Sequence, residues 1–199
     1  MPNPINKIVT GKVVLHYSRL FSPSKNNKEY NYTPKYGSTI IIDKGDKETL
    51  NKIETAISNA VLQGNFSADT NINLPLKDGD VIHPGEIVFE NSMYLYASSI
   101  IKPTVVNRKL LPILPTEGEF TSGTYAKVSM NFEPYNFNGK CGVSAKLINV
   151  QILPGNKLSE LQSKPEDDFK VEKAWRIKFI GLPYCHLKHL GKASRNFYI

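Results

Sequence analysis

The sequence predicts a mainly β chain with one principal helix, closing as an antiparallel barrel rather than layering as alternating strands and helices. Three observations carry this. Short segments of alternating apolar and polar residues recur along the chain, as half-buried strands require. Gly, Asn and Pro turns separate them. Only one stretch has the three- and four-residue apolar spacing of a helix, so no βαβ rhythm is present. The body yields five strands, a number that suits a small sandwich as well as a barrel.

In order, residues 8–18 set Val9, Val13, Leu15 and Tyr17 against Thr10, Lys12, Val14, His16 and Ser18. Gly11 stands where a first barrel strand needs a bulge or bend. Residues 22–35 read as a loop, either solvated or a flap of cations and aromatics (Lys25, Lys28, Tyr30, Tyr32, Lys35) over a bound strand. Tyr36–Asp43 contains Thr39-Ile40-Ile41-Ile42, the run of a strand buried on both faces. The helix follows, with Asp46 as N-cap, Glu48 in the first turn, an apolar stripe of Leu50, Ile53, Ile57, Ala60 and Val61, and Gly64 at its end. Residues 65–91 are broken by Pro75, Gly79, Pro84 and Gly85 and read as irregular, with Asp78 and Asp80 shaping a turn. Met93–Ile101 is a strand with Tyr94, Tyr96 and Ser98 on one face and Met93, Leu95 and Ala97 on the other; period two leaves open which faces inward. Lys102–Pro115 is a connection carrying Lys102, Arg108 and Lys109. From Tyr125 the alternation is sharpest. Ala126, Val128, Met130 and Phe132 point to a core, while Tyr125, Lys127, Ser129 and Asn131 stand on the opposite face. An Asn138-Gly139 turn leads to a further strand over Leu147–Gln151. Phe169, Val171, Trp175, Ile177 and Phe179 alternate with Lys170, Glu172, Arg176 and Lys178 as an extra C-terminal strand.

Composition narrows the function classes. The 199 residues suit one domain with an appendage, read as 1–168 and 169–199. No apolar run reaches the ~18 residues of a membrane span, and the amino-terminal residues lack a signal peptide's apolar core, so a cytoplasmic protein with thiol cysteines is expected. Residues 169–199 hold +6 of the +7 net charge, so positions 1–168 are left with +1. An aromatic ring, a cation and small polar groups on the outer face of the 125–131 strand match a surface that stacks bases and tracks phosphates without reading sequence, although an ordinary half-exposed strand has the same pattern. Cys185, His186 and His189 fall short of a zinc site, because Cys141, His16 and His83 are scattered. There is no phosphate-binding glycine loop, dinucleotide fingerprint or nucleophile elbow. No cofactor is expected.

The stretch Tyr135-Asn136-Phe137-Asn138-Gly139-Lys140-Cys141-Gly142-Val143-Ser144-Ala145, leading into Leu147–Gln151, resembles the phage single-stranded DNA-binding proteins of the Enc34-like OB-fold family. Three other stretches match in order: Thr10-Gly11-Lys12-Val13-Val14-Leu15 with Leu20-Phe21 and Pro23; Leu74-Pro75-Leu76-Lys77-Asp78-Gly79-Asp80; and Ala97-Ser98-Ser99 through Lys102-Pro103 to Val105-Val106-Asn107-Arg108. Together they span residues 7–153. The resemblance implies a five-stranded OB-fold-like barrel, here with the extra strand and basic arm. Phage replication proteins of this kind often end in an acidic tail that recruits partners. In this chain the acidic Glu166-Asp167-Asp168 precedes the last strand and the final residues are basic and aromatic, which speaks against tail-mediated recruitment.

The reading is non-catalytic, sequence-independent binding of single-stranded DNA during phage replication or recombination, in the host cytoplasm, with replication or recombination proteins as further partners and no membrane. The expected contact surface comprises Lys12, Tyr17, Phe21, Tyr94, Tyr96, Lys102, Arg108, Tyr125, Lys127, Tyr135, Phe137 and Lys140. Tyr125 and Lys127 lead it, because the alternation assigns their face. Two rivals belong to other classes. One is a β-barrel protein-binding adaptor or virion component that uses its aromatics on a protein; the other is a nuclease built on Asp78 and Asp80.

Overall fold

Among the described residues, alternation becomes pairing in one nine-stranded sheet. The structure, a computed structural model, describes residues 6–24, 33–67, 71–115 and 120–161, together with Asp168 and Lys170. Two units divide the chain, Met1–Ser163 and Lys164–Ile199. The strand expected over 169–179, the basic arm beyond it and most of the 22–35 loop lie outside the described residues.

The first expected strand is two, β1 (Lys7–Val9) and β2 (Val13–Arg19), because the chain breaks where Gly11 donates its N–H to Thr49 Oγ1 at 2.8 Å. The β-branched run forms β3 (Tyr36–Asp43). Helix α1 (Lys47–Gln63) begins at Asp46, whose carboxylate accepts the Thr49 N–H, and stops at Gly64, as its sequence signals require. Four short elements follow where irregular chain was expected: β4 (Ile72–Asn73), β5 (Lys77–Asp78), α2 (Gly79–Ile82) and, after β6 (Ser92–Ser99), β7 (Thr104–Val106). Strands of two or three residues are too short to show a period, which is why the described residues hold nine strands where five were counted. Strands β8 (Thr124–Phe137) and β9 (Lys140–Asn156) form a long hairpin, and α3 (Lys157–Glu160) closes the unit. The hairpin turns through Asn138 (φ 50°) and Gly139 (φ 73°), the two left-handed positions of a tight turn that matches strand twist.

The pairings trace a circuit. β2 pairs β3 and β3 pairs β6, both antiparallel; β6 pairs β9 in parallel; β9 pairs β8 and β8 pairs β2, antiparallel again. Inside it lie Leu15, Ile40, Leu95, Val128, Met130 and Phe132, all fully buried, and α1 packs Leu50, Ile53, Ala56, Ile57 and Ala60 onto them. Ala126, Val128, Met130 and Phe132 thus take the core face read from the sequence. Leu95 and Ala97 settle the inward face of β6. A second, smaller core lies on the other side of the sheet, where Val14, Ile41, Val88, Phe89 and Tyr125 meet. No helix among the described residues is long and apolar enough to cross a membrane.

Candidate nucleic-acid interface

Register determines what the outer face presents. Leu15, Ile40 and Leu95 align across β2, β3 and β6 with their side chains inward, so the flanking rows point out. Three outer rows result: Val14–Ile41–Tyr94, His16–Thr39–Tyr96 and Arg19–Gly37–Ser98, the last continuing to Lys146 on β9. The first row is covered by the 79–91 segment, through Val88 and Phe89, and by Leu153 and Leu158. The other two rows lead to the surface.

Two tyrosines lie over glycines of the neighbouring strand. A β-carbon on Gly37 would come within 2.5 Å of the Tyr96 hydroxyl, and one on Gly142 within 2.7 Å of the Tyr135 hydroxyl. In each pair the absent side chain lets a ring lie across the sheet instead of standing up from it. Tyr96 is 48% exposed, and the Tyr135 hydroxyl accepts a hydrogen bond from Asn73 Nδ2 at 3.2 Å. Tyr17 is 76% exposed at the β2 irregularity, held at φ 47°, a left-handed backbone that an aromatic residue seldom adopts, with its ring 4.0 Å from that of His16. Phe137, 70% exposed, faces Lys140 at the hairpin tip.

Cations border these rings. Arg19 and Lys146 end the third outer row, and Lys146 Nζ lies 3.6 Å from Glu133. Beyond the end of β2, Phe21 packs near Phe120 (5.6 Å between centroids) with Lys102 Nζ 5.8 Å over its ring. His16, within the second outer row, is buried with Nδ1 unpartnered. Burial pushes its pKa below the ordinary histidine value, Glu86 pulling it up and His83 down.

Register puts Tyr96, Tyr135 and Phe137 on the outer face, with Tyr17 exposed at the β2 irregularity, Lys140 at the hairpin tip, and Phe21 and Lys102 beyond the end of β2. Tyr94 is half-buried between His83 and Phe89, and Arg108 stands on the loop after β7. The exposure expected of Tyr125 is corrected. Its ring is 9% exposed in the second core, its hydroxyl donates to Glu160 at 2.7 Å, and Lys12 Nζ sits 4.2 Å over the ring, so that lysine is engaged by an aromatic face. Burial and the Glu160 carboxylate push the Tyr125 pKa up to about 12. Ser129 and Asn131 are likewise buried, leaving Lys127 the exposed member of its set. Arg19, Gly37, Gly142 and Lys146 were not among the expected site residues. A glycine within a strand was the available signal, since it marks a close approach.

Asp78 and Asp80 shape a turn, as read. Lys44 Nζ bridges them at 2.7 Å each, Asp78 accepts the Asp80 N–H that opens α2, and Asp80 accepts the Asn91 N–H. The lysine holds both carboxyls below their usual range, and they hold its ammonium pKa up. Among the described residues no three His, Cys, Asp or Glu side chains cluster as metal ligands.

A family model described as the single-stranded DNA-binding protein of Enterobacter phage Enc34 matches residues 6–177. Protein p50 of Acyrthosiphon pisum secondary endosymbiont phage 1 is 28% identical over 157 residues, covering 74% of this chain and 83% of that protein. Among solved structures, the single-stranded DNA-binding protein of bacteriophage Enc34 in complex with ssDNA aligns with a TM-score of 0.69 at 21% identity, over 77% of this chain and 89% of that one. Gp2.5, the single-stranded DNA-binding protein of bacteriophage T7, aligns with a TM-score of 0.56 at 12% identity, over 83% and 98%. At these identities the structural likeness is one of fold.

Proposed function

The chain belongs to the family of the Enterobacter phage Enc34 single-stranded DNA-binding protein, and from that premise we propose that it coats single-stranded DNA during phage replication or recombination, without reading sequence and without catalysing a reaction. The circuit β2-β3-β6-β9-β8, with its single parallel join, supports an OB-fold-like barrel in which short β1, β4, β5 and β7 are additions. The observation that carries the reading is the pair of tyrosines laid over glycines, Tyr96 on Gly37 and Tyr135 on Gly142. Flat rings on a sheet are platforms for unpaired bases, each stacked base contributing about 1–3 kcal/mol whatever its identity. Tyr17 and Phe137 extend the platform, and Arg19, Lys102, Lys140 and Lys146 are placed to neutralise phosphates.

Titration of a labelled oligo-dT and of a duplex of equal length, each at two salt concentrations, tests this. Stacking needs splayed bases, so the single strand should bind roughly tenfold or more tightly than the duplex. Counterion release should weaken binding several-fold between low and physiological salt. Equal affinity for both forms, or affinity indifferent to salt, would overturn the reading in favour of a protein-binding surface.

A further inference from the structure

Strand β6 crosses the proposed DNA face, and the segments at its two ends are opposites. Residues 79–91, entering it, contain Asp80, Glu86 and Glu90 and no Lys or Arg; residues 100–114, leaving it, contain Lys102, Arg108 and Lys109 and no acid. Both present large apolar side chains to solvent: Val81, Ile82 and Ile87 at the acidic end, and Ile100, Ile101, Leu110, Leu111 and Leu114 at the basic end. Scattered exposed apolar residues are ordinary, but groups this dense within one segment mark contact surfaces.

Neither segment is slack. The acidic lobe is pinned by Phe89, which stacks on His83 at 4.1 Å and meets Tyr94 and His16 edge-on, and by the hold of Lys44 on Asp80. The basic loop is a small hairpin. Val106 bridges Pro112, Ile113 N–H reaches Val105 O, and the Asn107 side chain accepts the N–H groups of Lys109 and Leu111. At its tip Leu110 is held at φ 62° and left 69% exposed. A leucine in the left-handed region is strained, and an exposed one has no packing to compensate, so Asn or Gly would suit the backbone better.

We propose that the acidic lobe of one copy receives the basic loop of the next, so that copies associate head to tail. Both patches are apolar, Glu86 and Glu90 of one answer Arg108 and Lys109 of the other, and the two segments flank an eight-residue strand whose end residues stand about 23 Å apart at strand rise. A contact between two different surfaces leaves one of each free on every pair, so it does not stop at two copies as a two-fold dimer does; it propagates, into a ring or an open line according to its rotation. Its consequence for cooperative loading rests on the DNA-binding reading above. The contact itself does not.

Two variants separate the patches without touching residues assigned to DNA. Leu110→Asn removes the exposed side chain and relieves its backbone, so it should melt no earlier than the parent; Val81→Ser removes the exposed apolar side chain of the other patch on α2. Sedimentation of the protein alone across a concentration series should show association beyond pairs in the parent, weakened by salt and lost in each variant. Mixed in equal amounts, the two variants should recover pairs but not longer assemblies, because each carries the intact patch that the other lacks. On oligo-dT long enough for two copies, the parent's second copy should load roughly tenfold more tightly than its first. Each variant should lose this gain while binding a one-copy oligonucleotide like the parent, and the mixture should regain it. A monomeric parent at all concentrations, association that survives either variant, or a mixture that fails to recover pairs would overturn the proposal. If sedimentation behaves as expected while the one-copy oligonucleotide does not bind, the DNA reading fails and the head-to-tail contact stands.

Discussion

Replacing Tyr125 by alanine separates the two descriptions of its strand. On alternation alone the ring stands on an exposed outer face, and its loss would leave the fold intact. In the structure it is 9% exposed among Val14, Ile41, Val88 and Phe89. Removing a core aromatic costs about 3–5 kcal/mol, and a ring at the edge of a small cluster belongs near 3. Its hydroxyl bond to the exposed Glu160 adds ~0.5–1 kcal/mol. Lys12 over the ring adds a similar amount. The total is about 4 kcal/mol, a large share of the 5–15 typical of a domain. For a chain of this size that lowers Tm by roughly 8–16 °C. Tyr125→Phe keeps the ring and should lose only about 2–4 °C at neutral pH. It should also remove an alkaline sensitivity. The folded tyrosine's pKa is pushed up to about 12 from 10.0, so the unfolded state ionises first and the parent loses stability as pH rises between those values. Melting curves read these effects, with oligo-dT titrations run below the transition. If Tyr125→Ala melts within about 1–2 °C of the parent yet loses DNA affinity, the ring is a base-stacking surface and the second core is wrongly assigned.

Met130→Ala, in the principal core, should cost about 2–5 kcal/mol and leave oligo-dT affinity measured in the cold unchanged. Tyr96→Ala and Tyr135→Ala should each weaken oligo-dT binding by about 1–3 kcal/mol while Tm moves little; normal binding by both would remove the stacking platform. His16 is held below its ordinary pKa of 6.5, so the unfolded chain takes up a proton before the folded one. Its contribution to stability is complete above 6.5 and is lost as pH falls below it, and a melting series from pH 7.5 to 5 should be flatter for His16→Gln than for the parent. Deleting residues 169–199 removes +6 of the net charge. Binding should weaken with a shallower salt slope if that segment contacts phosphates, and unchanged binding with an unchanged slope would exclude it from the DNA surface.

The case of Tyr125 shows where legibility ends. Period two assigned Ala126, Val128, Met130 and Phe132 to one side of β8, and all four are fully buried. The same signal assigned Tyr125, Ser129 and Asn131 to the other side, correctly, but says nothing about what covers that side. Coverage is nonlocal: Tyr125 is roofed by Val88 and Phe89 from a segment without periodicity and by Leu158 beyond β9. Helix α1 was legible end to end because its caps and stripe are local. The site was partly legible for a related reason. Exposed aromatics could be named from alternation, yet what lays Tyr96 across the sheet is Gly37 on β3, some sixty residues earlier, one place in register from its direct partner Thr39 on that strand's outer face. A ring's orientation depends on the residue beside it across the ladder, and that neighbour exists only once strands are paired. Strand register, rather than residue type, is what turns a tyrosine-rich β chain into a candidate base-stacking face.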